Sequence, residues 1–211
     1  MARLSQGILG GISGTIGNVV GSSWKGIAIV KTKPLSVANP KTAGQIRQRT
    51  KMSNAVSFAK LILASTIKPM WDRFAQQASG YNDFISENIS LFTDAMPNPA
   101  NQLVISKGQM LAVDPNSLGG NAGATIVPFG FPDDLPDALS LADDDVYVVL
   151  VNETQGIVGF SSAQVERSDS GSSVTLREPL VSGDVLNLYL AFRRKDGTVV
   201  SNTGFITNTV A

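Results

Sequence analysis

Apolar positions change their spacing twice along this chain, and each change marks a different kind of element. Up to about Leu35 glycines punctuate short β-branched runs. Thr15–Val20 and Trp24–Lys31 read as two short strands around a turn at Gly21-Ser22-Ser23, a Gly-rich β-hairpin. In the second strand Ile27 and Ile29 alternate with Ala28 and Val30, so both faces are partly apolar. A pair this small needs a partner surface. Gly7, Gly10, Gly14, Gly17 and Gly21 also fall at helical spacing. Each glycine inside a helix costs about 1 kcal/mol against alanine, which disfavours a helix there.

The spacing lengthens at Asn39. Asn39 as N-cap and Pro40 at the first helical position predict a helix from there to about Ala64. Met52, Ala55, Val56, Ala59, Ile62 and Leu63 make one buried stripe on it. Its first half carries Lys41, Gln45, Arg47, Gln48, Arg49 and Lys51, a polar and basic turn expected to be exposed. Pro69 opens a second helix to about Ala78, with Met70, Trp71 and Phe74 as its apolar contacts. Gly80 ends it, and Tyr81, Phe84, Ile85, Ile89 and Phe92 keep the helical period to about Thr93.

After Pro97-Asn98-Pro99 that period vanishes. Short β-rich runs follow at Leu103–Ser106, Ala124–Val127, Val146–Asn152, Gly156–Ser161, Ser173–Leu176, Val185–Phe192 and Val199–Phe205. Asp169-Ser170-Gly171, Ser182-Gly183-Asp184 and Lys195-Asp196-Gly197 are turn signals between them. Leu186, Leu188, Leu190 and Phe192 alternate with Asn187, Tyr189 and Ala191, which implies one well-buried face. The expected fold is α+β in two domains. Residues 1–96 form a basic β-hairpin plus a helical assembly region of two to three helices, and 97–211 an Ig-like antiparallel β-sandwich.

Charge sharpens this picture. Residues 1–71 hold no Asp or Glu and ten cations, whereas the remainder holds seven cations and all 17 acids. The formal zero is therefore +10 on one side and 7 − 17 = −10 on the other. Two partners fit the basic end: nucleic acid, or the acidic half of a neighbouring copy. At 211 residues, 43% apolar and 16% charged, the chain is globular, with room for one good core or two small ones. Zero Cys and zero His remove disulfides, thiolate zinc sites, cysteine nucleophiles and Ser-His-acid catalysis in cis. Glycines break the N-terminal apolar stretch, and no run nears the roughly 20 apolar residues of a membrane helix. A soluble chain made in the cytoplasm, with no membrane contact, is expected.

Three segments together carry a resemblance: Gly-Thr-Ile-Gly-Asn-Val-Val-Gly-Ser-Ser-Trp-Lys-Gly (14–26), Asn-Pro-Lys-Thr-Ala-Gly-Gln-Ile-Arg-Gln-Arg (39–49) and Leu-Val-Ile-Ser-Lys-Gly (103–108). In this order, ahead of a β-rich tail, they resemble a functionally uncharacterised bacterial and prophage-associated family of about this length. The 39–49 segment with a downstream tryptophan such as Trp71 also resembles a motif of phage virion proteins. The resemblance implies a structural component of a virion, in capsid, tail, fibre or spike, and no activity to transfer.

Other motifs weigh less. Trp24, Lys25, Lys31, Lys33, Arg47, Arg49 and Lys51 are the candidate partner-binding residues. Clustered cations release counterions from nucleic-acid phosphates, but Trp24 is the only aromatic residue before Phe58, a thin stacking platform. The glycines match no phosphate loop. Ser-x-x-Lys recurs at Ser22–Lys25, Ser57–Lys60 and Ser65–Lys68 without the companion motifs of serine–lysine acyl enzymes. Asp133, Asp134, Asp137 and Asp143-Asp144-Asp145 offer hard oxygens to calcium, but their spacing fits no EF-hand; paired carboxylates for glycoside hydrolysis lack an aromatic cleft. No catalytic, cofactor or metal residue is assigned. The expected function is a non-enzymatic structural protein of a phage or prophage particle, a homo-oligomer that assembles through its basic half with itself and other virion proteins. The alternative is a sequence-independent nucleic-acid-associated protein.

Overall fold

The structure, a computed structural model, describes residues 3–4, 12–24, 27–36, 39–75, 78–161 and 165–211. It is α+β, with three α-helices and three antiparallel sheets among the described residues. The chain divides into two compact units, Met1–Thr42 and Ala43–Ala211. The expected boundary at residue 97 is therefore displaced, because the helices after Ala43 share one core with strands of the C-terminal half.

The first unit is a four-stranded meander rather than a lone hairpin: β1 (Arg3–Leu4), β2 (Ile12–Ile16), β3 (Val19–Trp24) and β4 (Ile27–Thr32), paired in that order. The expected turn at Gly21-Ser22-Ser23 lies inside β3. The β2–β3 turn is Gly17-Asn18, with Ile16 opposite Val19. Gly17 has φ +55°, which glycine supplies at no steric cost in a two-residue hairpin turn. Gly21 is used for closeness instead, since a Cβ there would run into the Ile12 carbonyl of β2. Among residues 12–23, 27–36 and 39–42 of this unit only Gly21 is buried.

The second unit opens with α1 (Ala43–Leu61), three residues later than Asn39-Pro40 predicted. Thr42-Ala43-Gly44-Gln45 is the Ser/Thr-x-x-Glu/Gln pattern that favours a start at Ala43. No residue of α1 before Ala55 is buried, and Ala43–Thr50, about 12 Å at 1.5 Å each, is exposed throughout, whereas Asn54 donates through Nδ2 to the Asp94 carbonyl. Met52, expected in the buried stripe, is exposed, whereas Ala55, Phe58, Ala59 and Ile62 are buried. The chain does not break at Ala64. It passes through a π-helical turn (Leu63–Ile67) into α2 (Lys68–Trp71), which ends well short of Ala78 and leaves Phe74 exposed. α3 (Gly80–Asn88) follows, capped by Ser79, whose Oγ accepts from the Asn82 amide.

β5 (Ser117–Leu118), β6 (Ile126–Gly130) and β9 (Gly171–Thr175) form a three-stranded sheet in the order β5-β6-β9. β7 (Asp145–Asn152), β8 (Ile157–Ser161), β10 (Val185–Arg193) and β11 (Gly204–Thr209) form a four-stranded sheet in the order β11-β10-β7-β8. Its central strands are buried on both faces, not one. Val146, Val148, Leu150, Leu186, Leu188, Leu190 and Phe192 share a core with Leu118, Val127, Phe129 and Val174 of the smaller sheet. Tyr147, Val149, Val151, Tyr189 and Ala191 share another with Phe58, Ile62, Trp71, Phe84 and Phe92. Helices, four-stranded sheet and three-stranded sheet are three successive layers.

Two expected strands differ. Leu103–Ser106 is not a strand, because side chains take its backbone groups. Asn88, fully buried, accepts from the Val104 amide through Oδ1 and donates through Nδ2 to the Val104 carbonyl. Thr203 Oγ1 accepts from the Ile105 and Ser106 amides, and Trp71 Nε1 donates to the Ile105 carbonyl at 2.8 Å. The last strand is Gly204–Thr209 rather than Val199–Phe205, since Ser201–Thr203 hold that segment instead. Phe192 donates its amide to Ser201 Oγ and Asn202 to the Met110 carbonyl.

Leu188→Ala is expected to destabilise the protein by about 2–5 kcal/mol, because the cavity opens between two layers that cannot both collapse into it. Asn88→Ala should cost about 1–3 kcal/mol by removing both hydrogen bonds to the half-buried Val104 backbone. Urea denaturation measures both.

Candidate functional site

The sequence-selected cations fall on two elements. Lys31 sits on β4 opposite Val20, and Lys33 follows the strand, its amide donating to the Asn18 carbonyl at 2.6 Å; both side chains are exposed. Trp24 closes β3 opposite Ile27, and Lys25 lies outside the described residues. Arg47, Arg49 and Lys51 are on the protruding half of α1. Helical spacing puts Arg47 and Lys51 on one face, one turn apart, and Arg49 on the opposite side. The structure therefore does not bring the three together.

These cations lie among uncovered apolar residues. Ile27 and Val30 are both 59% exposed, on opposite faces of β4, and Ile16, Val19 and Ile29 are exposed beside them. On α1, Ile46 and Met52 are exposed too. Among the described residues the ion pairs join Lys107 to Glu87, Arg167 to Asp144, and Lys195 to Asp143 and Glu166. Lys31, Lys33, Lys41, Arg47 and Lys51 have no such pair.

The acidic segment between β6 and β7 is anchored by a group that sequence reasoning missed. Arg167 is wholly buried, stacked 3.7 Å over the Phe192 ring and paired with the equally buried Asp144 at 3.3 Å. It also donates to the Asp134 carbonyl. Burial pushes the guanidinium pKa down, and the Asp144 charge opposes that shift. Asp137 closes the same segment on itself, accepting from the Leu111, Leu139 and Ser140 amides and from Ser140 Oγ. The Leu111 amide above all holds its carboxyl below the ordinary 3.8, against partial desolvation. The sequence signal was available: Leu135, Leu139 and Leu141 among six aspartates are too apolar for a plain solvated loop.

Chemistry beyond contact finds little footing. Ser65 Oγ donates to the Ile62 carbonyl and neighbours Thr66 Oγ1, so it is engaged away from Lys68. Among the described residues no three acids lie close enough to hold a metal ion, the aspartate segment included. A cleft of about 280 Å³ is lined by Glu87, Lys107, Asn101, Gln102 and Phe205, with its carboxylate and amine already paired at 2.9 Å. No helix among the described residues is long and apolar enough to cross a membrane.

Fold and surface thus define a three-layer α+β protein preceded by a basic, coreless β-meander. The chain belongs to the family of unknown function DUF6266, whose model matches residues 11–207. No curated protein and no solved structure matches it significantly.

Asp144→Ala is expected to cost about 3–5 kcal/mol, because it leaves a buried guanidinium unpaired. Asp137 carries the opposite lesson for pH. Its lowered pKa adds stability that is present above about pH 4 and lost as pH falls through the folded value. Asp137→Asn should therefore be less stable than the parent at neutral pH, with the gap closing towards about pH 3 in denaturant titrations.

Proposed function

We propose that this chain is a non-enzymatic structural subunit of a phage or prophage particle that self-assembles through its basic N-terminal half. One observation carries the reading: across residues 12–23 and 27–36, the 22 positions of sheet and turn whose burial is described, a single residue is buried, and it is a glycine. A sheet with both apolar faces wet cannot offset its own ordering, so a covering surface belongs to its working state. The start of α1 repeats the argument, since Ala43–Thr50 is exposed throughout. Each copy carries an acid-free basic region and an acid-rich body, the complement needed for head-to-tail contacts that close into rings or extend into tubes. The 39–49 segment, which resembles a motif of phage virion proteins, runs into the exposed start of α1, and this supports a particle as the setting.

The C-terminal layers serve as the outward contact module and are, in this reading, an immunoglobulin-like sandwich. Strand order supports it: lettered A, B, C, C′, E, F, G from β5 to β11, the sheets are A-B-E and G-F-C-C′, the two-sheet pattern of such folds. The nucleic-acid reading rests on exposed Lys31 and Lys33 in a unit without acids.

Purified full-length protein should form oligomers at low ionic strength that dissociate as salt rises, read by mass photometry. Arg47→Glu/Lys51→Glu should raise the concentration for half-association about tenfold. A chain that stays monomeric at tens of micromolar in low salt overturns the proposal. Retardation of DNA by that monomer, lost as salt rises, would replace it with the nucleic-acid reading.

A further inference from the structure

We infer that the surface receiving the basic N-terminal meander is the leucine-bearing acidic segment 132–144 on a second copy of this chain, an inference that rests on the self-assembly reading above. The segment gathers three leucines about one carboxylate. Leu111 is tied to it by its amide's hydrogen bond to Asp137 Oδ2 at 2.7 Å, Leu135 lies two residues before Asp137, and Leu141 four after. They are 52%, 54% and 40% exposed. Leaving three leucines in water is unfavourable by the area rule, and nothing in the local backbone demands it.

The segment is also held rigid at a cost. Arg167 gives up solvent entirely to clamp the Asp134 carbonyl and Asp144, while the Ser168 amide donates to the Ala142 carbonyl. Asp137 accepts from two amides and one hydroxyl of the loop itself and from the Leu111 amide outside it. A loop whose only task was to connect β6 to β7 gains nothing from a buried ion pair. A docking surface does, because preorganisation removes ordering cost from binding.

Charge selects the occupant. Asp133 and Asp134 are exposed next to Leu135, and Asp143, paired with Lys195 at 3.9 Å, is exposed near Leu141, so apolar and anionic groups alternate along the segment. The matching object on the same chain is the meander, with exposed Ile27, Ile29 and Val30, exposed Lys31 and Lys33, and no acid anywhere in residues 1–42. Apolar area meets apolar area and each lysine meets an aspartate. Nucleic acid would be repelled by these acids, and a second acidic segment likewise. Because donor and acceptor surfaces differ, the contact is heterologous and each copy offers both.

The test is a charge swap in full-length protein, read by sedimentation velocity at low salt. Asp133→Lys/Asp134→Lys and Lys31→Asp/Lys33→Asp should each weaken self-association about tenfold or more, and an equimolar mixture should recover it. Leu135→Ser should weaken association without a change in net charge. Far-ultraviolet circular dichroism of each variant identical to the parent shows that folding is intact. If the parent associates but the aspartate variant associates equally well, the acceptor surface is elsewhere and the assembly reading stands. A mixture that fails to recover, with both single variants impaired, overturns the pairing of these two surfaces. A monomeric parent overturns both readings.

Discussion

The adjacent strands β7 and β10 are buried on both faces, and the second unit is organised around that constraint. A strand with two dry faces cannot alternate polar and apolar residues, and neither does: Val146–Val151 is apolar throughout, and Leu186–Phe192 is broken only by Asn187, whose amide donates to Glu153. One face then needs a sheet and the other needs helices. The helices supply Phe58, Ile62, Trp71, Phe84 and Phe92; the smaller sheet supplies Val127, Phe129 and Val174. The connecting segment 103–106 lies against the helical side, and polar side chains pin it there: Asn88, Thr203 and the Trp71 indole each satisfy backbone groups that no ladder reaches.

Against that core, residues 12–54 are built on the opposite principle. Strand pairing there is regular, the turn at Gly17-Asn18 has the conformation its residues favour, and α1 begins at a suitable capping pattern. Local preference is satisfied throughout, yet burial is nearly absent. Local consistency without a core is what a segment needs when its buried surface comes from another molecule. The same stretch excludes every acid, so a surface that covered it would have to accept positive charge.

Most of the strand layout was legible because β7, β8 and β10 announce themselves by continuous β-branched and aromatic runs bounded by turn residues. The errors have a common cause. Leu103–Ser106 has strand composition, but its backbone partners are side chains from residues about 15 to 100 positions away, such as Asn88 and Thr203, while Val199–Thr203 bonds to Phe192, Arg194 and Met110 in place of a continuous ladder. Short-range pattern cannot reveal such partners. The boundary at residue 97 failed similarly: Pro97-Asn98-Pro99 is a true punctuation, but the apolar faces on either side of it meet in one core. Of the candidate site, the basic residues were legible individually. Their grouping was not, since Arg49 falls on the far side of the helix from Arg47 and Lys51.

Arg167 shows why the anchoring of the acidic segment was not legible in the sequence. An arginine in a stretch of serines and acids looks like a surface residue, and nothing near it in sequence marks it for burial. Only the tertiary fold brings Phe192, Asp144 and the Asp134 carbonyl around it. A pair buried this deeply is weak evidence for stability, because well-packed apolar residues of similar volume do as well or better. What such a pair does supply is geometry. A guanidinium presents fixed donor directions, so it ties a main-chain carbonyl of the loop and a carboxylate to the face of one aromatic ring. The leucines and aspartates carried by that loop are therefore held in one arrangement. In a chain whose charges sum to zero, opposite charges held on distinct surfaces would favour one orientation over many if copies of the chain met.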